Sequence, residues 1–184
     1  ARSGVLPQTL RLVPGPETVR DAEMNLRAVD AIRKTTGPIP LPPIDADGII
    51  SLEPGTTYLA EHREFPGTLK IECHESPPAD IIVPAGKRWV LQARTLELRG
   101  ITVAQQSGTV AETELNRPSM SQLVAVQCGV LTIDECVIQS PAAEDSFVGV
   151  AWHRLSGAEG SVIIRNSVFA GGGYAASFNH PPRR

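Results

Sequence analysis

The chain has 184 residues, 41% hydrophobic and 20% charged, with a formal net charge of −3 and an isoelectric point near 5.8. A small negative charge and only 4% aromatic residues supply neither the attraction nor the stacking surface that nucleic acid needs, so no nucleic-acid partner is expected. No apolar run approaches a membrane span, so none is expected, and the length suits one domain with a buried core plus an arm.

Residues 1–48 read as the arm. The opening Ala1-Arg2-Ser3-Gly4 does not read as a signal peptide, and a chain whose signal had been cleaved would begin in the same way. Gly15-Pro16-Glu17-Thr18 reads as a helix start, with Asp21 and Glu23 in or near the first turn, where negative charge is favoured. Val19, Ala22, Leu26, Val29 and Ile32 or Arg33 trace one helical stripe, and Gly37-Pro38 ends it. Pro38, Pro40, Pro42 and Pro43 then make a stiff, extended linker. The amphipathic helix is expected to cap the N-terminal end of the structure that follows. The alternatives are a link to something upstream or a helix that docks on a partner.

From residue 49 onward the pattern is that of strands. Ile49-Ile50-Ser51-Leu52 is a candidate first strand, and Thr57-Tyr58-Leu59, Thr68-Leu69-Lys70-Ile71 and Asp80-Ile81-Ile82-Val83 are the three strands of one loose unit. A clear repeat follows. Trp89-Val90-Leu91-Gln92-Ala93, Val124-Ala125-Val126-Gln127-Cys128 and Val148-Gly149-Val150-Ala151-Trp152 alternate apolar and other side chains, which is the strand period of two. Each is followed by an eight-residue phrase: Leu96 to Val103, Leu131 to Ile138 and Val162 to Phe169, apolar at positions one, three and eight and broken by a polar or small pair at four and five. The third copy carries an insertion between Val150 and Val162.

Tandem similarity of this kind means one structural unit stacked on itself. Three short strands per unit predict a coil whose equivalent strands pair in parallel, about 4.8 Å apart. Aligning the copies as written points Trp89, Leu91, Ala93, Val124, Val126, Cys128, Val148, Val150 and Trp152 inward. Leu98, Ile133 and Ile164 are expected to share one column. The pairs Arg99-Gly100, Asp134-Glu135 and Arg165-Asn166 form a corner. Gly and Asn there suit a left-handed backbone, and Glu135 suits it less well. Cys128 and Cys136 fall on inward positions as small buried hydrophobes. Cys73 lies near a strand end, and no Cys-x-x-Cys pair suggests zinc. A β-sandwich would not predict the tandem repeat, and a leucine-rich repeat has a shorter period.

On "ISLEPGTTYL", "LELRGITV" and "SVIIRNSVF", residues 49–178 resemble the right-handed parallel β-helix repeat proteins of the pectin-lyase-like superfamily. The expected fold is therefore all-β, a right-handed single-stranded parallel β-helix over 49–184, with the helix of the 1–48 arm as its cap. The superfamily includes polysaccharide lyases, hydrolases, esterases, epimerases, tailspikes and non-catalytic modules, some appended to bacterial serine/threonine kinases. Fold alone does not choose among them.

The resemblance implies that a sugar chain would lie along the outer face of the first strand column. Its outward residues are Val90, Gln92, Ala125, Gln127, Gly149 and Ala151, with Arg94, His153 and Arg154 following at the corner. Two long loops enter this column: 104–122, with Glu112 and Glu114, and 139–147, with Glu144 and Asp145. Gln92, Arg94, Gln127, His153, Arg154, Glu144 and Asp145 are thus the candidate ligand-binding groove. Each has a plainer reading. His153 is an exposed loop histidine, the arginines are solvated charges, and Gln92 and Gln127 stack as an amide ladder. Trp152 is core, or a sugar platform if it points outward.

No catalytic residue, metal or cofactor is expected. Glycoside hydrolysis needs two carboxylates across the scissile bond, and the Asn-Thr-Asp, Asp-Asp, Gly-His-Gly and Arg-Ile-Lys phrases of polygalacturonases are absent. No outward acidic ladder offers calcium to a pectate-lyase-like site. Gly55 to Glu61 has the wrong spacing for a pectin methylesterase. Ile71-Glu72-Cys73-His74-Glu75 looks metal-like by composition, but neighbouring strand residues face opposite ways. No kinase motif occurs.

The expected function is a non-catalytic β-helix module, structural or bound to a polysaccharide or protein partner. The alternatives are a polysaccharide-active lyase or hydrolase, and an accessory module of a serine/threonine kinase. Ala175 to Phe178 reads as the start of a fourth copy that is not completed. An uncovered last coil leaves unpaired backbone, so this end is expected to meet something: further chain of a longer protein, a second copy by end-to-end self-association, or a partner.

Overall fold

The computed structural model describes residues 37–106, 122–139, 148–155, 160–171 and 174–179. The helix expected after Pro16 lies outside them, as do Glu112, Glu114, Glu144 and Asp145. The described residues are all-β, with parallel strands and no helix. In chain order the strands are β1 (Ile39–Pro40), β2 (Ile49–Ser51), β3 (Thr57–Leu59), β4 (Arg63–Glu72), β5 (Ala79–Val83), β6 (Trp89–Arg99) and β7 (Ile101–Gln105). Then come β8 (Gln122–Cys128), β9 (Val130–Asp134), β10 (Val137–Gln139), β11 (Val148–Arg154), β12 (Ser161–Arg165), β13 (Val168–Ala170) and β14 (Tyr174–Asn179).

Pairing sorts them into three stacks. The first holds Arg63–Phe65 of β4, the start of β6, then β8, β11 and β14. The second holds β2, Thr68–Glu72 of β4, Thr95–Arg99 of β6, then β9 and β12. The third runs β1-β3-β5-β7-β10-β13. From β4 onward the chain visits first, second and third stacks in turn. β4 and β6 cross from the first stack into the second, with an irregularity between Phe65 and Thr68. Pro66 and Gly67 occupy that break, as expected where an N–H is missing from the ladder.

The eight-residue phrases align as the repeat predicts. Leu96, Leu131 and Val162 are opposite one another, as are Leu98, Ile133 and Ile164. On the third stack Ile81, Val103, Ile138 and Phe169 make one row. These rows are buried in the middle of the stacks and half-buried at Val162, Ile164 and Phe169. Burying one such aliphatic side chain contributes about 1.5–3 kcal/mol.

The corner column holds the left-handed backbone that the sequence suggests. Gly100, Glu135 and Asn166 have φ of 63°, 55° and 50°. Backbone N–H groups climb it: Cys73 donates to Arg99 O (3.0 Å), Gly100 to Asp134 O (3.1 Å) and Glu135 to Arg165 O (3.3 Å). A Cβ on Gly100 would collide with the Cys73 carbonyl oxygen. Glu135 takes the left-handed conformation without glycine's freedom, at a cost of about 1–2 kcal/mol. Its carboxylate accepts from Arg99 Nε at 3.2 Å. Next to this column Glu72, Arg99, Asp134 and Arg165 alternate in sign, in register. Asp134 accepts from Asn166 Nδ2 at 3.1 Å and pairs with Arg165 Nη2 at 3.2 Å.

Three expectations need correction. The third copy of the first-stack strand is displaced by two residues: Val150, not Val148, opposes Val124, and Trp152 opposes Val126. A shift of two keeps every side chain on its face, so alternation cannot detect it. His153 consequently sits inside β11 opposite Gln127, and Arg154 opposes Cys128, instead of both following at a corner. Finally, Thr57–Leu59 belongs to the third stack, and Arg63–Phe65 supplies the first-stack segment of that unit. Its charges and Pro66 break the apolar alternation that marks a strand. The strands also begin ahead of residue 49, with Ile39–Pro40 paired to Tyr58–Leu59 and Leu41 buried.

The inward cysteines are buried, and burial pushes the Cys128 thiol up to about 11 and the Cys136 thiol up to about 12.

Ile133→Ala should cost about 2–5 kcal/mol in a denaturant titration. Thr132→Ala, one residue away on the outer face, should stay within about 0.5 kcal/mol. Gly100→Ala should cost about 2 kcal/mol or more, because the Cβ meets both the left-handed backbone and a carbonyl oxygen. Alkylation followed by mass spectrometry at pH 8 should find Cys128 and Cys136 at least ~100-fold slower in the native protein than in urea, since only the thiolate reacts.

Candidate functional site

The outer face of the first stack is built by register. Glu64, Gln92, Gln127, His153 and Asn179 stand opposite one another on five successive strands, one residue per strand. Alternation places the side chains of Glu64, Gln92, Gln127 and His153 outward because Leu91, Val126 and Trp152 beside them are buried. Beside this polar row runs a second one, Val90, Ala125, Ala151 and Ser177. Its residues are small, so the polar row borders a shallow trough. Ala125 and Ala151 are buried although they sit on the outward side of their strands.

A depression of about 150 Å³ opens here, lined by Arg88, Val90, Ala125, Val126, Gln127 and His153. Its floor is apolar. Arg88, Gln127 and His153 supply the polar groups. Gln92 Nε2 donates to Glu64 Oε1 at 3.3 Å, so the one carboxylate of the row is already engaged. Amides and an imidazole can donate to and accept from hydroxyl groups. The row is thus equipped for hydrogen bonding along a polar chain.

The sequence-derived residues divide. Gln92, Gln127 and His153 come together in one row. Arg94 is exposed on β6, between the first and second stacks. Arg154 points to the inward side of β11 opposite Cys128, and its Cδ lies 2.7 Å from where a Cβ on Gly160 would stand. It therefore packs at the mouth of the core and does not join the row. Trp152 is core, not platform: it is 2% exposed, its Nε1 donates to Cys128 O at 3.1 Å, and its ring meets Phe178 edge-on at 6.2 Å. Glu144 and Asp145 lie outside the described residues.

Arg88 and Glu64 escaped the sequence reading. Arg88 precedes the first repeat by one residue, in the turn where Lys87 N donates to Pro84 O at 3.0 Å. A basic residue just before a strand gives no sign of which face it will border. Glu64 belongs to the segment that reads as a loop.

The Glu72-Cys73-His74-Glu75 stretch does not converge, although only Glu72 still belongs to β4. Cys73 is buried, with Sγ donating to Glu75 O at 3.4 Å, while His74 Nε2 lies on the outside, 2.8 Å from Glu72 Oε1. Among the described residues, no group of three or more His, Cys, Asp or Glu gathers for a metal. Among them, too, no helix is long and apolar enough to cross a membrane. No protein-family model, curated protein or solved structure matches the chain.

Proposed function

We propose that the stacked strands form a right-handed parallel β-helix of the pectin-lyase-like kind, and that the protein is a non-catalytic module holding a polysaccharide along its first stack. The observation that carries this reading is the in-register row Gln92, Gln127 and His153 beside the small residues Val90, Ala125 and Ala151. A row with one hydrogen-bonding side chain per strand, at about 4.8 Å intervals, matches a ligand that is itself extended and repetitive. The apolar floor with a few polar groups around it is the usual make-up of a binding cleft.

Non-catalytic binding is favoured over hydrolysis or elimination by the chemistry of the row. The two amides can orient a hydroxyl but cannot cleave a glycoside, and the row's one carboxylate, Glu64, is engaged by Gln92 Nε2, so His153 stands without the paired carboxylates that glycoside hydrolysis uses. The signature phrases of the catalytic families are also missing from the sequence.

Titration calorimetry with polygalacturonate and with a neutral glucan tests the reading. Binding to either is expected, weakened up to ~10-fold by Gln127→Ala or His153→Ala, the worth of one hydrogen bond. Thr132→Ala, on the second stack, should leave it unchanged. A reducing-sugar assay should stay flat. Binding indifferent to both first-stack variants would defeat the proposal, and turnover abolished by His153→Ala would replace it with the enzyme.

A further inference from the structure

We propose that the C-terminal end of the stacks is a self-association surface on which a second copy of this chain packs tail to tail, about a two-fold axis through β12. The inference is independent of the ligand reading and rests on strand pairing and exposure.

The two ends of the stacks are built differently. One inward row runs Arg63, Leu91, Val126, Trp152 and Phe178. At its N-terminal end Arg63 closes the core: Nη2 donates to Leu41 O at 3.2 Å and to Glu61 Oε2 at 2.6 Å. Leu41, Ile50 and Leu52 are buried there. The N-terminal edge also carries Pro38, Pro40 and Pro66. Proline and charge are the features that stop a strand edge from pairing with another chain. They guard exposed Ile39 as well, which lies between Pro38 and Pro40.

At the C-terminal end the same row finishes on Phe178, 48% exposed, and Tyr174 at the start of the same strand is 55% exposed. β12, β13 and β14 each pair on one side only among the described residues. None contains proline, and their one charged residue, Arg165, is paired with Asp134. Among the described residues, the strands of this edge carry no such guard.

Ile163 identifies the occupant. It ends an outward row in which Lys70, Glu97 and Thr132 precede it, with Lys70 Nζ 3.1 Å from Glu97 Oε2. The row turns apolar at its last strand, where Ile163 is 45% exposed. Antiparallel pairing of Ser161-Val162-Ile163-Ile164-Arg165 with its own copy sets Ile163 against Ile163 and Arg165 against Ser161. Val162 then faces Ile164. No like charges meet, and the apolar end of each row is covered. The same two-fold rotation brings β13 of one copy to β14 of the other, over Phe169 and Phe178. A head-to-tail arrangement would instead need the proline-bearing N-terminal edge as partner.

Sedimentation velocity over a wide concentration range should show a monomer–dimer equilibrium. Ile163→Glu should weaken the dimer at least ~100-fold, since two like charges would meet on the axis. Ile163→Lys should do the same, and a mixture of the two variants should dimerise again. In the otherwise native chain, Ile163→Cys should give a disulfide between the two copies on mild oxidation, which decides the matter should the charged variants fail to fold. A monomer at all concentrations, a dimer indifferent to Ile163→Glu, or growth into longer chains of copies would each overturn the proposal.

Discussion

The parallel register of the second stack, in which Leu98, Ile133 and Ile164 face one another, fixes the position of everything else. Slipping it by one residue would turn Thr132 into the core and Ile133 out to water, losing the burial of several aliphatic side chains at once. Slipping it by two would preserve the faces but separate Gly100, Glu135 and Asn166. Only one register puts all three left-handed residues at the same corner. The collision awaiting a Cβ at Gly100 shows how close successive strands come there. Glu135 holds the same backbone against its own preference, which shows that the pairing above and below outweighs the local strain.

The same argument explains what could be read from the sequence. From Leu96 onward the second and third stacks are legible because each copy carries two independent markers: the apolar spacing and the corner pair. The first-stack strand carries only alternation. Val148 to Trp152 therefore aligned equally well two residues away, and His153 and Arg154 were placed past the end of a strand to which they belong. The error matters for the site. In the observed register His153 joins Gln92 and Gln127, whereas Arg154 leaves them for the inward side. Arg63–Phe65 was missed for a different reason: a core position filled by arginine looks like solvent-exposed loop until its partners, Leu41 O and Glu61, are seen.

Register also ties the candidate groove to the ends of the stacks. The polar row of the first stack runs from Glu64 at the guarded end to His153 on the last strand but one. In a tail-to-tail pair about the two-fold axis through β12, the first stack of each copy would abut the third stack of the other, so the two polar rows would lie on different faces of the pair.

The account stands on His153 being directly opposite Gln127. Spin labels on Gln127→Cys and His153→Cys, with the buried native thiols left in place, test this most directly. In register the two backbones are about 4.8 Å apart. The doubly labelled protein should then give a spectrum strongly broadened by spin–spin interaction, compared with the sum of the two singly labelled ones. A doubly labelled spectrum equal to that sum would contradict the register, and with it the row.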